Sequence, residues 1–446
     1  MNAAIEGKDL EIFRQKFEAD PVNEVAMNAV TANGIGAAAK NRMALEKYLR
    51  SFNVEVESGK VCDQKQSGRC WMFAALNVMR LDAMEKLNLE ELELSQNYPL
   101  FYDKLEKSNY FLENILKTLD EPVGSRLLDF LLKDPIGDGG QWDMFRSLVA
   151  KYGVVPKEIM PETVASSATM ELRDYMTKKL REFACRLRGA YREGADTEQL
   201  RAMKDEMMSV IYRMLVIALG KPPVRFSWST RDKDKNYVEV KDITPQEFFA
   251  QYVGWDLDEY VTVINAPTAD KPFGKTFTVQ YLGNVSGGKY PVKYLNLPDE
   301  ELKSLAVRQL QDGKTVWFGS DVAQFSDRRI GILATDALKI ENLFGTTFTL
   351  NKAERLDYGE SLMTHAMVLT GVELDENGQP LRWKVENSWG EKVGKDGYYV
   401  MSDEWFSEYA YQILLEKKYL SPEQAEAFTQ EPIELLPWDP MGSLAF

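Results

Sequence analysis

The sequence predicts an α+β fold with two unlike lobes. Helical periodicity fills most of the first half of the chain, and short strands separated by turn residues fill most of the second. Between them lies a long helical stretch that reads as an insertion. The expected boundaries are an N-terminal arm (1–60), a helical lobe (61–165), a helical insertion (166–223), a lobe of antiparallel strands (224–430) and a C-terminal arm (431–446).

In chain order, the spacing predicts an amphipathic helix over 9–18, a polar connection, and a second helix over 38–52. VCDQKQSGRC (61–70) is a polar, glycine-bearing loop that runs into a helix, WMFAALNVMRLDAMEKL. Met72, Leu76, Met79, Ala83 and Leu87 recur every three or four residues and form its expected buried face. Asp82 and Lys86 are spaced to pair along it. Short helices and a distinctive loop, IGDGGQWDMF (136–145), follow. Residues 166–220 are strongly helical, with a stripe of Met207, Val210, Ile211, Met214 and Ala218, and Lys221-Pro222-Pro223 ends them.

Beyond 224 the composition turns to strands. TFTVQYLGNVSGGKYPVKYL (276–295) reads as a hairpin with Gly-Gly in its connection. A helix is expected over 299–311, stopped by Gly313, and then a core strand in KTVWFGSDV (314–322). THAMVLTGVELDENGQPLRWKVENSWG (364–390) reads as strand, turn and strand, with the turn at 375–378.

With 446 residues and 44% apolar content, the chain can bury a sizeable core. Its net charge of −15 disfavours nucleic acid and anionic membranes as partners. The first 21 residues are charged throughout and lack the apolar run of a secretory signal. No stretch is long and apolar enough to span a membrane, so a cytoplasmic protein is expected. Three cysteines make no disulfide framework. Cys62 and Cys185 read as small buried hydrophobes. The single histidine, His365, and the sparse cysteines leave no zinc-type ligand set, so no cofactor or metal is expected.

Cys70 sits where a loop enters a helix, and the partial positive charge and free N–H groups there favour a thiolate. A free thiol titrates near 8.5, so a nucleophilic cysteine needs an imidazole beside it, and only His365 can supply one. His365 would then carry the proton in both half-reactions. Asn387, 22 residues on and in the next expected strand, is a candidate to orient the ring without adding charge. Gln64, six residues before Cys70, can aim a side-chain N–H at a developing oxyanion beside the Cys70 backbone N–H. Taken singly, each has an ordinary structural reading: a solvated glutamine, a core histidine, a turn asparagine.

Together the strings resemble papain-type cysteine peptidases. QKQSGRCW (64–71) resembles their nucleophile loop, THAMVLTGV (364–372) their histidine strand, and VENSWGEKVGKDGYYVM (385–401) the segment whose Trp389 shields the Asn–His bond from water. GDGGQWDMFRSLVAKYGVVPKE (137–158) resembles the loop whose paired glycines bind substrate backbone. There Gly139 and Gly140 fall, with glycine required at 140 for close approach of the substrate. Two features depart from the common pattern. Cys70 and His365 are 295 residues apart, beyond the ~130–150 usual in papain relatives, and Arg69 replaces the serine more often found before the cysteine.

Both departures, with GESLMTHAM, RWKVENSWG, MSDEWFSEY and the terminal EPIELLPWDPMGSLAF, resemble the bleomycin hydrolase and bacterial aminopeptidase C group. The resemblance implies a papain-like two-lobed fold with a helical insertion. It also implies a homohexameric ring and aminopeptidase activity of broad specificity on peptides with a free N-terminus, with bleomycin amide hydrolysis as a side activity. Trp71, Trp389, Gly139, Gly140, Ala445 and Phe446 would contact substrate. The tail, rich in proline and glycine, is expected to be non-helical and to lie in the cleft, where a carboxylate pairs with the substrate ammonium. Trimming of Phe446 would expose Ala445. Rival readings are a catalytically silent binding protein, a nucleic-acid-binding relative and an acyltransferase sharing the Cys–His chemistry.

Overall fold

A strand beginning at His365 runs through the middle of the molecule, and its alternating side chains hold two cores apart. The structure, a computed structural model, describes residues 4–445. In the strand His365–Leu374, Ala366 and Val368 point into one core, and Met367 and Leu369 into the other. Burial on both faces explains why the segment reads as a continuous apolar run rather than an alternating one.

The sheet order is Ile433–Leu435, Lys275–Val279, Tyr294–Asn296, Tyr260–Ile264, Ala410–Glu416, Val316–Ser320, His365–Leu374, Pro380–Glu386, Tyr398–Ser402, Ile332–Leu333 and Ser326–Asp327. The short strand Val54–Glu55 also pairs with His365–Leu374. Most pairings are antiparallel, as expected. Three described ones are parallel: Tyr260–Ile264 with Tyr294–Asn296, Ile433–Leu435 with Lys275–Val279, and Tyr398–Ser402 with Ile332–Leu333. The helix Cys70–Lys86 packs against the first face. Residues 70–80 of it are buried on every side, so the expected stripe of Met72, Leu76, Met79 and Ala83 is only part of its buried surface.

The stretch expected to be an insertion contains the helices Met170–Arg192 and Thr197–Leu219, the second capped by Asp196 and stopped at Gly220. The helix Asp299–Gln311 has the expected bounds, with Gly313 (φ 75°) beyond it. The α+β reading therefore holds.

Several local expectations do not. The segment read as a polar connection contains the helix Pro21–Asn33, which Asp20 caps by accepting from the Val22 N–H (3.0 Å) and Gly34 ends. The Asp-Pro start and glycine stop outweigh weak apolar periodicity. The expected 38–52 helix is broken into the end of Ile35–Ala38 and Arg42–Lys47, and the chain beyond extends to reach the central strand. Lys275–Val279 and Tyr294–Asn296 do pair, but no tight turn joins them. The loop between is pinned by buried Asn284, which donates to Asp103 Oδ1 (3.0 Å) and the Met144 carbonyl (3.2 Å).

Asp82 does not pair with Lys86. It accepts from Trp255 Nε1 and Lys314 Nζ, while Lys86 donates to the Val253 carbonyl. The tail contains a 3₁₀ helix, Pro440–Ala445, contrary to expectation. Pro440 opens it, where a missing N–H costs nothing. Cys62 is buried, but Cys185 is exposed. No helix among the described residues is long and apolar enough to cross a membrane.

Candidate active site

Cys70 is the first residue of the 17-residue helix Cys70–Lys86 and lies against the start of the central strand. The loop before it is stitched to the segment after Asn387. The Gln64 N–H donates to the Ser388 carbonyl (2.9 Å) and the Gly390 N–H to the Cys62 carbonyl (3.1 Å). Arg69, the departure noted in the sequence, is fully buried. Its guanidinium makes a forked bond to Glu162 (3.0 and 2.8 Å), and its Nε donates to Ser67 Oγ (2.9 Å). This anchors the loop to the chain that leads into the insertion.

The pairing of Val368 with Glu386 carries Asn387 back beside the start of the strand. There His365 Nε2 and Asn387 Oδ1 are 2.9 Å apart, both residues buried. An amide oxygen only accepts, so Nε2 carries the ring proton and Nδ1 keeps its lone pair. The Trp389 ring lies 4.8 Å from the imidazole, centroid to centroid, and the Arg328 guanidinium lies over the same Trp389 ring, 4.2 Å from its centroid. Burial pushes the His365 imidazole down to about 4, against the hydrogen bond to Asn387 and with help from the Arg328 charge. Burial pushes the Cys70 thiol up to about 11, while the backbone N–H groups of Ala366, Trp71 and Cys70 pull the other way. Each shift reflects the cost of one lone charge. Moving a proton from sulfur to imidazole creates both charges together, where each offsets the other's desolvation.

Gln64 Nε2 donates one hydrogen to the Ser67 carbonyl (2.7 Å), which fixes the amide and leaves its second hydrogen for another acceptor. The glycine loop is also close by, and packing constrains its Gly140. Trp71, expected at the substrate, is fully buried in this structure, and its Nε1 donates to the Asp138 carbonyl (2.7 Å). A Cβ on Gly140 would lie 2.6 Å from the Trp71 ring. Glycine at 140 is therefore already demanded from behind, by packing.

Asp138 and two lysines were not singled out from the sequence. Asp138 accepts from the Gly68 N–H (3.0 Å), from Lys104 Nζ (2.7 Å) and from Thr169 Oγ1. Burial alone would raise this carboxyl, but Lys104, Thr169 and the Gly68 N–H together outweigh it and hold the group well below the usual carboxylate range. Lys107 Nζ donates to the carbonyls of Gly137 (2.7 Å) and Gly139 (2.5 Å). A buried charge cluster thus ties the glycine loop to the cysteine loop. The acidic residue between glycines was the available signal; nothing in the sequence marked the lysines.

The C-terminal turn lies between the lobes. The Met441 carbonyl accepts from Gln141 Nε2 (3.3 Å) and Tyr294 Oη (3.2 Å), and Ser443 Oγ donates to the Met363 carbonyl (2.8 Å). Gln141 follows Gly140 and Met363 precedes His365 by two residues, so the turn contacts both the glycine loop and the segment entering the histidine strand. Ala445 ends it; Phe446 lies outside the described residues.

The model of the Peptidase C1-like family matches residues 4–442. An Aminopeptidase C of Lactobacillus delbrueckii subsp. lactis is 47% identical over 449 residues, covering 100% of both chains. One from Streptococcus thermophilus is 51% identical over 96% of each. The Bleomycin hydrolase of Homo sapiens is 42% identical over 97% of this chain and 96% of its own. The crystal structure of PepW from Lactobacillus rhamnosis HN001 superposes with a TM-score of 0.97 at 51% identity, covering 99% of each chain. Matched from end to end by the family and by these relatives, the chain belongs to the Peptidase C1-like family.

Proposed function

We propose that this chain is a cysteine aminopeptidase of the bleomycin hydrolase and aminopeptidase C type, with Cys70 as nucleophile, His365 as general base and acid, Asn387 as the residue that orients the ring, and Gln64 as an oxyanion donor. The observation that carries the reading is a sulfur at a helix N-terminus held by the backbone N–H of Ala366, the residue after His365, whose Nε2 lies 2.9 Å from Asn387 Oδ1.

Cys70 gives its proton to His365 Nδ1, and the thiolate attacks the carbonyl after the first residue of a peptide. The oxyanion is met by the Cys70 N–H and the second amide hydrogen of Gln64. The imidazolium then protonates the leaving amine, which leaves a thioester. Water, deprotonated by the imidazole, attacks the thioester, and the sulfur leaves as thiolate to be reprotonated. Trp389 excludes water from the ring's bond to Asn387. Gly139 and Gly140 offer backbone to the substrate on the face opposite Trp71.

The tail closes the cleft on the unprimed side, and its terminal carboxylate meets the substrate ammonium. Removal of Phe446 presents that carboxylate on Ala445. The position of the 3₁₀ turn between Gln141 and Met363 supports this. Homohexamer formation is the finer reading of the assembly. Exposed Leu10, Phe13, Phe17, Val22 and Val25 on the N-terminal helices support a buried contact there. A cytoplasmic location fits three unpaired cysteines.

The test is turnover of aminoacyl and N-blocked fluorogenic substrates by the wild type and by Cys70→Ala. Release from the free-amine substrate only, abolished by the substitution, is expected. Turnover that survives Cys70→Ala, or that is equal on both substrates, overturns the proposal. An added amine acceptor separates hydrolysis from acyl transfer.

A further inference from the structure

Lys271 is a lysine with 2% of its side chain exposed, far in sequence from the candidate catalytic residues. Its Nζ lies 2.9 Å from Asp439 Oδ2 and 2.9 Å from Asp270 Oδ2. Burial lowers its affinity for a proton, but the two carboxylates outweigh burial and keep it charged. Its backbone is equally fixed. The Lys271 carbonyl accepts from Asn296 Nδ2 (2.6 Å), and Asn296 is a fully buried residue of the strand Tyr294–Asn296.

The other partner begins the C-terminal turn. Asp439 Oδ1 accepts from the Met441 N–H (2.9 Å), and the Asp439 carbonyl accepts from the Gly442 N–H (3.0 Å). One carboxylate oxygen thus caps the 3₁₀ helix Pro440–Ala445, and the other is bound to a cation anchored in the sheet.

We infer that the Lys271–Asp439 pair is a positioning latch: it aims the C-terminal turn and so sets the choice between removing one N-terminal residue and cutting within a chain. The inference rests on the proposed role of the tail. Six residues of 3₁₀ helix span about 12 Å at a rise of about 2.0 Å per residue. A tilt of about 10° at Asp439 would therefore move the far end by about 2 Å. Errors of about 1 Å in a binding group can already cost on the order of 10²-fold.

The arrangement supplies its own control. Asp439→Asn keeps an oxygen to cap the turn but removes the charge that Lys271 binds. Lys271 retains Asp270, so no buried cation is orphaned and the fold should survive.

The experiment compares wild type, Asp439→Asn, Lys271→Met, the double variant and a chain lacking residues 443–446. For each, KM and kcat are measured on an aminoacyl and an N-blocked fluorogenic substrate. Each single variant should raise the ratio of N-blocked to free-amine kcat/KM at least tenfold. The change should come mainly from a higher KM for the free amine. The double variant should match the singles, because both remove one interaction. A ratio within twofold of wild type in both singles, with a large rise in the truncated chain, overturns the latch and leaves the tail's role standing. An unchanged ratio in the truncated chain refutes the tail's role and the latch together. Equal loss of kcat on both substrates with a lower Tm assigns the pair to folding alone and also overturns the latch.

Discussion

His365 and Asn387 meet at 2.9 Å although 22 residues and a turn separate them, because the register of the two strands brings the end of one beside the start of the other. The bond is buried, so its loss is not made good by water. It fixes which ring nitrogen carries the proton and which keeps its lone pair.

Asn387→Ala should therefore leave the ring free to turn or to change tautomer. A buried hydrogen bond to a polar group is worth about 1–3 kcal/mol, so kcat/KM should fall on the order of 10- to 100-fold, with KM little changed. Steady-state kinetics on an aminoacyl substrate would decide it, and undiminished kcat would show that Asn387 does not orient the base.

The pH profile follows from the pair as a unit. Thiol with imidazole and thiolate with imidazolium hold the same number of protons, so either form is active-state stock and only the outer titrations end activity. With His365 held down to about 4, activity should persist in acid until near pH 4. Below that the ring is protonated while the sulfur keeps its proton, and the base is lost. With Cys70 pushed up to about 11, the enzyme sets no limit near neutrality. For free-amine substrates the alkaline fall should instead come near pH 8, where a peptide α-ammonium loses its proton (about 7.7–8.0). An acid limb near pH 6.5 in kcat/KM would contradict this account of the buried ring.

Gln64 holds its amide through the Ser67 carbonyl at 2.7 Å, so its second hydrogen has a fixed direction. Removing one such donor in comparable hydrolases costs about 2.7–4 kcal/mol of transition-state stabilisation. Gln64→Ala should lower kcat by roughly 10²- to 10³-fold and spare KM. A matching rise in KM would mean that the side chain binds the ground state instead.

The helix after Cys70, the strands around His365 and Asn387 and the helix Asp299–Gln311 were legible because local pattern and tertiary role agree there. Long-range partners were not. Asp82 has a suitable helical neighbour in Lys86 but pairs with Lys314 and Trp255, since tertiary contacts decide among equally available partners. Arg69 was visible as a departure, but its partner Glu162 was not. Lys104 reads as an ordinary helix residue, yet it lies buried under Asp138. The parallel pairing of Ile433–Leu435 has no local signature, because parallel strands are joined through distant chain. Trp71 was assigned to the substrate by analogy of position, and only packing shows that its ring is enclosed.

That enclosure adds a packing demand at Gly140 to its proposed place beside the substrate, and the two demands give different numbers. If glycine were needed only so that a substrate strand can approach, Gly140→Ala would raise KM and leave Tm unchanged. The structure instead puts the added Cβ at 2.6 Å from the Trp71 ring, and the ring is held by its bond to the Asp138 carbonyl and cannot swing aside. Overpacking of this kind costs about 1–3 kcal/mol. Gly140→Ala should therefore lower the Tm measurably. The displaced loop should also reduce kcat, because Asp138 ties it to the Gly68 N–H two residues before Cys70. Thermal unfolding measured beside kinetics separates the cases, and a variant of wild-type Tm with only a raised KM would refute the packing demand at Gly140.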